Sequence, residues 1–257
     1  MPRYFIEVSY KGTRYAGFQV QNNAVTIQSE VEKALGIKFG KPFQLTGSSR
    51  TDSGVHALQN YFHFDIEEEL NDSHEQERTG NRFRRIIYSL NSILPYDIVV
   101  KRIFEVNTNA HCRFDALSRE YKYYIYSRKN PFYKETAFFY PYKLDFEKLQ
   151  KAADLVLNTK DFTSFSKKNT QVNNFFCSLT RSEWARQEDF LIYNVVGNRF
   201  LRGMVKGLVG TMLKVGTGKI GLSDLEKIIN SRNCSNADFS VPSHGLFLIE
   251  VNYPNHN

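Results

Sequence analysis

Apolar and polar residues alternate over residues 3–10, the period of two that predicts a strand. Residues 11–17, Lys-Gly-Thr-Arg-Tyr-Ala-Gly, break the alternation and read as a loop. Thr26 is a candidate N-cap ahead of Ile27, Val31, Ala34 and Leu35, whose spacing predicts a helix over 27–35. Strands are predicted at 41–46 and 59–65, with a short loop between them. Residues 67–80 are polar, charged and nearly without apolar positions, which predicts an exposed insertion. Helical spacing returns over 82–94 and stops at Pro95, followed by a predicted strand over 97–106. The second half repeats the style. A strand is predicted at 120–128, an Asp145-capped helix over 146–157, and a hairpin of 179–187 with 190–196 around Glu188-Asp189. Residues 199–215 read as an amphipathic helix with a basic face at Arg199, Arg202 and Lys206. A short helix over 222–230 and a strand over 246–252 complete the chain.

Each half therefore approximates strand-helix-strand-strand-helix-strand. The expected fold class is α+β: two ferredoxin-like or RRM-like units with a mainly antiparallel sheet, helices on one face and an active-site cleft between the units. A boundary falls between 106 and 112, giving units of residues 1–108 and 109–257.

Composition narrows the function classes. Lys and Arg number 34 against 27 Asp and Glu, a formal charge of +7, which suits a polyanionic partner without demanding one. The chain holds 21 Phe and 15 Tyr; most belong to the core, and a minority can stack on bases. Cys112, Cys177 and Cys234 are far apart and odd in number, and no C-x-x-C occurs. That pattern suggests neither a disulfide framework nor a zinc site, and the histidines show no metal-ligand spacing. No signal peptide and no membrane-length apolar run is read, so the expectation is a reduced, cytoplasmic protein without metal or cofactor.

The candidate chemistry lies in residues 47–57, Gly-Ser-Ser-Arg-Thr-Asp-Ser-Gly-Val-His-Ala. Asp52 stands among small, turn-forming residues with Arg50 two positions before it. A rigid loop presenting one acid beside a guanidinium is one way to hold a reactive carboxylate. If the two side chains meet, Arg50 favours the ionised form of Asp52. The string alone fits an Asx-turn better, with Asp52 bonded to its own backbone ahead of Gly54.

Seven ordered motifs add to this. Tyr10, Gly12, Tyr15, Gly17 and Gln19 form Y-x-G-x-x-Y-x-G-x-Q, and residues 50–56 form R-T-D-x-G-V-H. Leu94-Pro95 and Asp97-Ile98 form L-P-x-D-I; His111, Arg113, Phe114, Ala116, Arg119, Tyr121, Tyr123 and Ile125 form H-x-R-F-x-A-x-x-R-x-Y-x-Y-x-I. D-F-T-S-F occupies 161–165, and further matches fall at Phe200-Leu201, Met204-Val205, Val209-Gly210, Pro242, Gly245-Leu246 and Leu248. From end to end the chain resembles the tRNA pseudouridine synthase A family.

The resemblance implies a cofactor-free isomerisation in which a uridine of tRNA loses its N-glycosidic bond and is rejoined through carbon 5. It places the catalytic aspartate at Asp52, which attacks the base, attacks the sugar or removes a sugar proton; each version needs an ionised, positioned carboxylate. Arg50 contacts the RNA backbone or helps hold the flipped nucleotide. Tyr121 falls on the family's active-site tyrosine; from periodicity alone it reads equally as a half-buried strand aromatic. Arg113, Arg119 and Arg202 are candidate RNA contacts.

The chain departs from the family at Lys206, where an arginine that pairs with the aspartate is usual. Lysine keeps the charge and loses the two-pronged geometry. Phe18 stands where tryptophan is frequent, and Val20 where arginine is. The family acts on positions 38–40 of the anticodon stem-loop as a homodimer, which implies tRNA and a second copy as partners and no membrane. Cys112 is read as a structural thiol, His56 as a loop support, His63 as incidental and Trp184 as packing or hairpin surface. A non-catalytic RNA-binding protein on the same scaffold is the alternative, suggested by Lys206 alone. A hydrolase is disfavoured because no second carboxylate accompanies Asp52.

Overall fold

The computed structural model describes residues 1–67, 83–168, 172 and 174–254. The chain divides into two compact units, Met1–Leu117 with Glu250–Asn257, and Ser118–Ile249. All but residue 67 of the predicted polar insertion lies outside the described residues.

The first unit runs β1 (Arg3–Tyr10), α1 (Ile27–Phe39), β2 (Thr46–Gly47), β3 (His56–Asp65), α2 (Arg84–Ile93) and β4 (Ile98–Val106). β1 is central: β4 pairs it on one side and β3 on the other, both antiparallel, and β2 pairs β3. The fourth, first, third and second strands thus lie side by side, the ferredoxin-like order. α1 starts where the sequence predicts. Thr26 Oγ1 accepts the Ser29 N–H at 3.1 Å, and Ser29 Oγ accepts the Thr26 N–H at 3.0 Å. Ile27, Val31, Ala34 and Leu35 form its buried stripe, and the helix runs on to Phe39. α2 buries Ile86 and Leu90, and Leu94 turns extended because the following Pro95 disfavours helix there. The strand predicted at 41–46 shrinks to the two residues of β2, because Pro42 cannot donate to a ladder.

Both faces of β1 are buried. Tyr4 packs on Phe64 and Phe83, while Phe5 on the opposite face meets Tyr61, Phe104 and Tyr253. Glu7, a polar position in the alternation, is 3% exposed. Its Oε2 accepts from Arg102 Nε at 2.8 Å and from the Tyr61 hydroxyl at 3.1 Å, which satisfies the buried carboxylate.

The second unit runs β5 (Ser118–Tyr126), β6 (Phe138–Phe139), α3 (Phe146–Leu157), β7 (Leu179–Gln187), β8 (Phe190–Gly197), α4 (Met204–Gly216), α5 (Leu222–Asn230) and β9 (Leu246–Asn252). β9 passes at Ile249 into residues that belong to the first unit. Setting the two-residue β6 aside, the order β9, β5, β8, β7 repeats the arrangement of the first unit, and β5–β8 and β7–β8 are antiparallel. Asp145 caps α3 by accepting the Lys148 N–H at 3.1 Å. Glu188, at φ +52°, turns the β7–β8 hairpin as predicted. Trp184 is packing: it is buried against Tyr193, ring centroids 5.1 Å apart.

The predicted basic helix of 199–215 needs correction. α4 begins only at Met204, so Arg199 and Arg202 precede it and Lys206 alone of the three lies on it. The rest of α4 is buried nearly all round, from Met204 and Val205 to Val215 and Gly216. It is a core helix rather than an amphipathic surface one.

Candidate active site

Asp52 opens a backbone turn. The Val55 N–H donates to the Asp52 carbonyl at 3.2 Å, and Gly54 supplies the positive φ, +78°, that the turn requires. The bond is made by the main chain and not by the side chain, so this is not the Asx-turn that the sequence left open. Among the described residues no hydrogen bond or ion pair engages the Asp52 carboxylate, and none joins it to Arg50. Asp52 is half-buried and Arg50 exposed.

The turn is held by the loop after β1, and the Y-x-G-x-x-Y-x-G motif supplies the holds. Tyr10 Oη and Thr51 Oγ1 share a buried hydrogen bond of 2.8 Å. Asn60 Nδ2 donates to Tyr10 Oη at 3.1 Å and to the Ser49 carbonyl at 2.9 Å. Ser53 Oγ donates to the Tyr15 carbonyl at 3.0 Å, and the Phe18 N–H to the Thr51 carbonyl at 3.1 Å. The Gly12 N–H donates to His56 Nδ1 at 3.0 Å. His56 is therefore a loop support, with its ring nitrogen spent as an acceptor. At Gly12 a Cβ would lie 2.0 Å from the Val55 carbonyl oxygen, so only glycine allows this approach. The loop is tied in turn to Asp97, which accepts from Arg14 at 2.7 and 3.1 Å and from the Tyr15 hydroxyl at 2.5 Å. Burial opposes the charge on Asp97, but these three donors prevail and hold its pKa below the usual carboxylate value.

A concavity beside the turn is lined by Phe18, Gln19, Arg50, His111, Arg113 and Phe114, among others, all in the first unit. The Arg113 guanidinium lies 5.6 Å from the Phe114 ring centre, and Phe114 is 73% exposed. Two guanidiniums and an exposed ring around one hollow suit a phosphate and a stacked base. Phe18, at the family's tryptophan position, is core instead: it stacks on Phe62 at 4.4 Å and 7°. Val20 is exposed.

In the second unit, Tyr121 lies on β5 opposite Val195, buried and edge-on to Phe200 with centroids 4.9 Å apart. Arg119 is also buried, and its Nη1 donates to the Asn198 carbonyl at 2.9 Å. Arg202 is exposed. Lys206 is half-buried, and its Nζ donates to Ser243 Oγ at 3.3 Å. Ser243 and Asn198 are partners that no sequence pattern singled out.

His63 lies on the same face of β3 as Tyr61, buried, with Nδ1 3.1 Å from Cys112 Sγ. Burial, then His111 and Arg3, push its pKa down to about 4, so the ring is neutral at pH 7. Cys112 is wholly buried, and its Sγ donates to the Thr46 carbonyl at 3.1 Å.

Comparison with known proteins gives this arrangement its class. The family described as tRNA pseudouridine synthase matches residues 152–254, within which Lys206 and Ser243 fall. A Parabacteroides distasonis protein named tRNA pseudouridine synthase A is 39% identical over 254 residues, covering 99% of this chain and 97% of its own length. Proteins of the same name from Azobacteroides pseudotrichonymphae and Staphylococcus aureus are 40% and 36% identical, over 99% and 97% of this chain and 98% and 90% of their own lengths. The chain belongs to the tRNA pseudouridine synthase A family.

Proposed function

We propose that this protein isomerises uridine to pseudouridine at positions 38–40 in the anticodon stem-loop of tRNA. The observation that carries the reading is the clamped Asp52 turn, in a chain whose full-length relatives bear that enzyme's name. The uridine N1–C1′ bond breaks and a C5–C1′ bond forms; the proton on C5 leaves and N1 gains one, so the product is an isomer. Asp52 is the catalytic carboxylate, positioned by a turn whose hydrogen bonds do not depend on its side chain. Tyr121 stacks on the flipped base and serves proton transfer. Lys206 supplies the positive charge that stabilises the ionised carboxylate. Arg50, Arg113 and Arg202, all exposed, are the direct RNA contacts; Arg119, buried and bonded to the Asn198 carbonyl, reaches the RNA only from the end of the strand that carries Tyr121; and two copies of the chain form the working unit. No helix among the described residues is long and apolar enough to cross a membrane. The cytoplasm, where tRNA is, is the proposed location.

The reading is tested with tRNA transcripts carrying tritium at C5 of uridine. Release of tritium to solvent, with a matching yield of pseudouridine, is expected. Tight tRNA binding with no release would favour the non-catalytic alternative. For Lys206, replacement by arginine is expected to keep turnover within a fewfold. Lys206→Met is expected to lower kcat by about 10–100-fold, through loss of the charge next to a developing reaction centre. A Lys206→Met enzyme with full activity would remove that residue from the mechanism.

A further inference from the structure

We propose that His63, His111 and Cys112 form a binding site for a borderline transition-metal ion of the Zn2+ kind. The three side chains bring their ligand atoms within 4.8 Å of one another. His63 Nδ1 stands 3.1 Å from Cys112 Sγ and accepts the Cys112 N–H at 3.3 Å, a bond it gives up on turning to the ion, and the His63 and His111 rings meet edge-on with centroids 4.6 Å apart. Two imidazoles and a thiol are the donor set that such ions prefer. On a tetrahedral ion with metal–nitrogen bonds of about 2.0–2.1 Å and a metal–sulfur bond of about 2.3 Å, neighbouring donors stand roughly 3.3–3.6 Å apart. The His63–Cys112 spacing lies just under that range and no spacing exceeds 4.8 Å, so a closure of the His111 side brings all three onto one ion.

The donors are also held as ligands need to be. His63 sits inside β3 and stacks on Phe5 at 6.1 Å. The segment carrying the other two is fixed by the Tyr253 hydroxyl, which donates to the Cys112 carbonyl at 2.5 Å, and by Asp115 Oδ2, which accepts the His111 N–H at 2.7 Å. His111 Nδ1 accepts the Arg113 N–H at 3.1 Å, which leaves Nε2 as its coordinating nitrogen. His111 is half-buried and lines the concavity beside Arg50 and Arg113, so an ion and its fourth ligand, a water, reach the cluster from that side. On binding, the Cys112 thiol gives up its hydrogen bond to the Thr46 carbonyl, releases its proton to solvent and coordinates as thiolate. The ion then fixes the segment that carries Arg113 and Phe114.

Full-length protein stripped with a chelator and dialysed would be titrated with Co2+. About one equivalent is expected to bind, with the strong visible bands of a tetrahedral ion and a near-ultraviolet thiolate-to-cobalt band that Zn2+ abolishes. Cys112→Ser is expected to lose the thiolate band, whereas Cys234→Ser, at a partly exposed cysteine, keeps it. His111→Gln, at a half-buried position that need not disturb the fold, is expected to weaken Co2+ binding by at least about tenfold with unchanged melting of the metal-free protein. No colour at millimolar Co2+, a thiolate band that survives Cys112→Ser, or unchanged affinity in His111→Gln would each overturn the site. Cobalt binding is read without RNA, so it stands or falls apart from the isomerase reading.

Discussion

Asp52→Asn abolishes pseudouridine formation, with kcat lowered by roughly 10⁴-fold or more, while tRNA affinity stays within a fewfold of wild type. The size follows from the role: the amide keeps the shape of the carboxylate and removes its charge and nucleophilicity, and a chemical group acting in the transition state is lost entirely. The selectivity of the effect follows from the structure. The turn is closed by the Val55 N–H on the Asp52 carbonyl, a bond that the substitution leaves alone. No partner among the described residues engages the Asp52 side chain, so folding does not rest on it. Stability therefore stays within about 0.5 kcal/mol, as for other substitutions that break no packing. Single-turnover assays on purified tRNA, with binding measured separately, check both halves. Substantial residual turnover would show that another group does the chemistry.

Gly12→Ala lowers kcat by about 100-fold although residue 12 makes no chemical contribution. The new Cβ would sit 2.0 Å from the Val55 carbonyl oxygen, and both sides of that contact are backbone. No side chain can rotate away, so either the loop after β1 or the Asp52 turn must move. The bond from the Gly12 N–H to His56 Nδ1 is disturbed with it. A displacement of about 1 Å at a reacting group costs on the order of 100-fold in rate. Overpacking also lowers stability by about 1–3 kcal/mol. Assaying well below the melting temperature separates the two effects. Wild-type kcat in a destabilised Gly12→Ala protein would mean that the clamp is structural only.

The sequence made most elements legible because their caps and periods are local. Thr26 with Ser29, Asp145 with Lys148, and Pro95 after α2 each work within a few residues. β1, α3, α5 and β9 fall where the patterns put them. Misreadings came from tertiary demands. The run 199–215 reads as amphipathic because Arg199, Arg202 and Lys206 suggest a basic face, but the two arginines precede α4, and apart from Lys206 and Lys214 the helix is covered by core. Nothing local to β1 shows that Glu7, a polar position in the alternation, is buried; Arg102 and Tyr61 reach it from other strands. The Asp52 loop was ambiguous by itself. The clamp that resolves it joins Tyr10, Gly12 and Asn60 to residues about 40 or 10 positions away, which no short window shows. The same holds for His63 and Cys112, on separate segments 49 residues apart, whose spacing resembles no metal motif.

Asp52 is proposed to make pseudouridine in tRNA. This is tested most directly by mapping pseudouridine at nucleotide resolution in unmodified tRNA, after incubation with the wild-type protein and with Asp52→Asn. Product is expected at positions 38–40 with the wild type and none with the variant. An absence of product from the wild type at any enzyme level, or equal product from Asp52→Asn, would contradict that role.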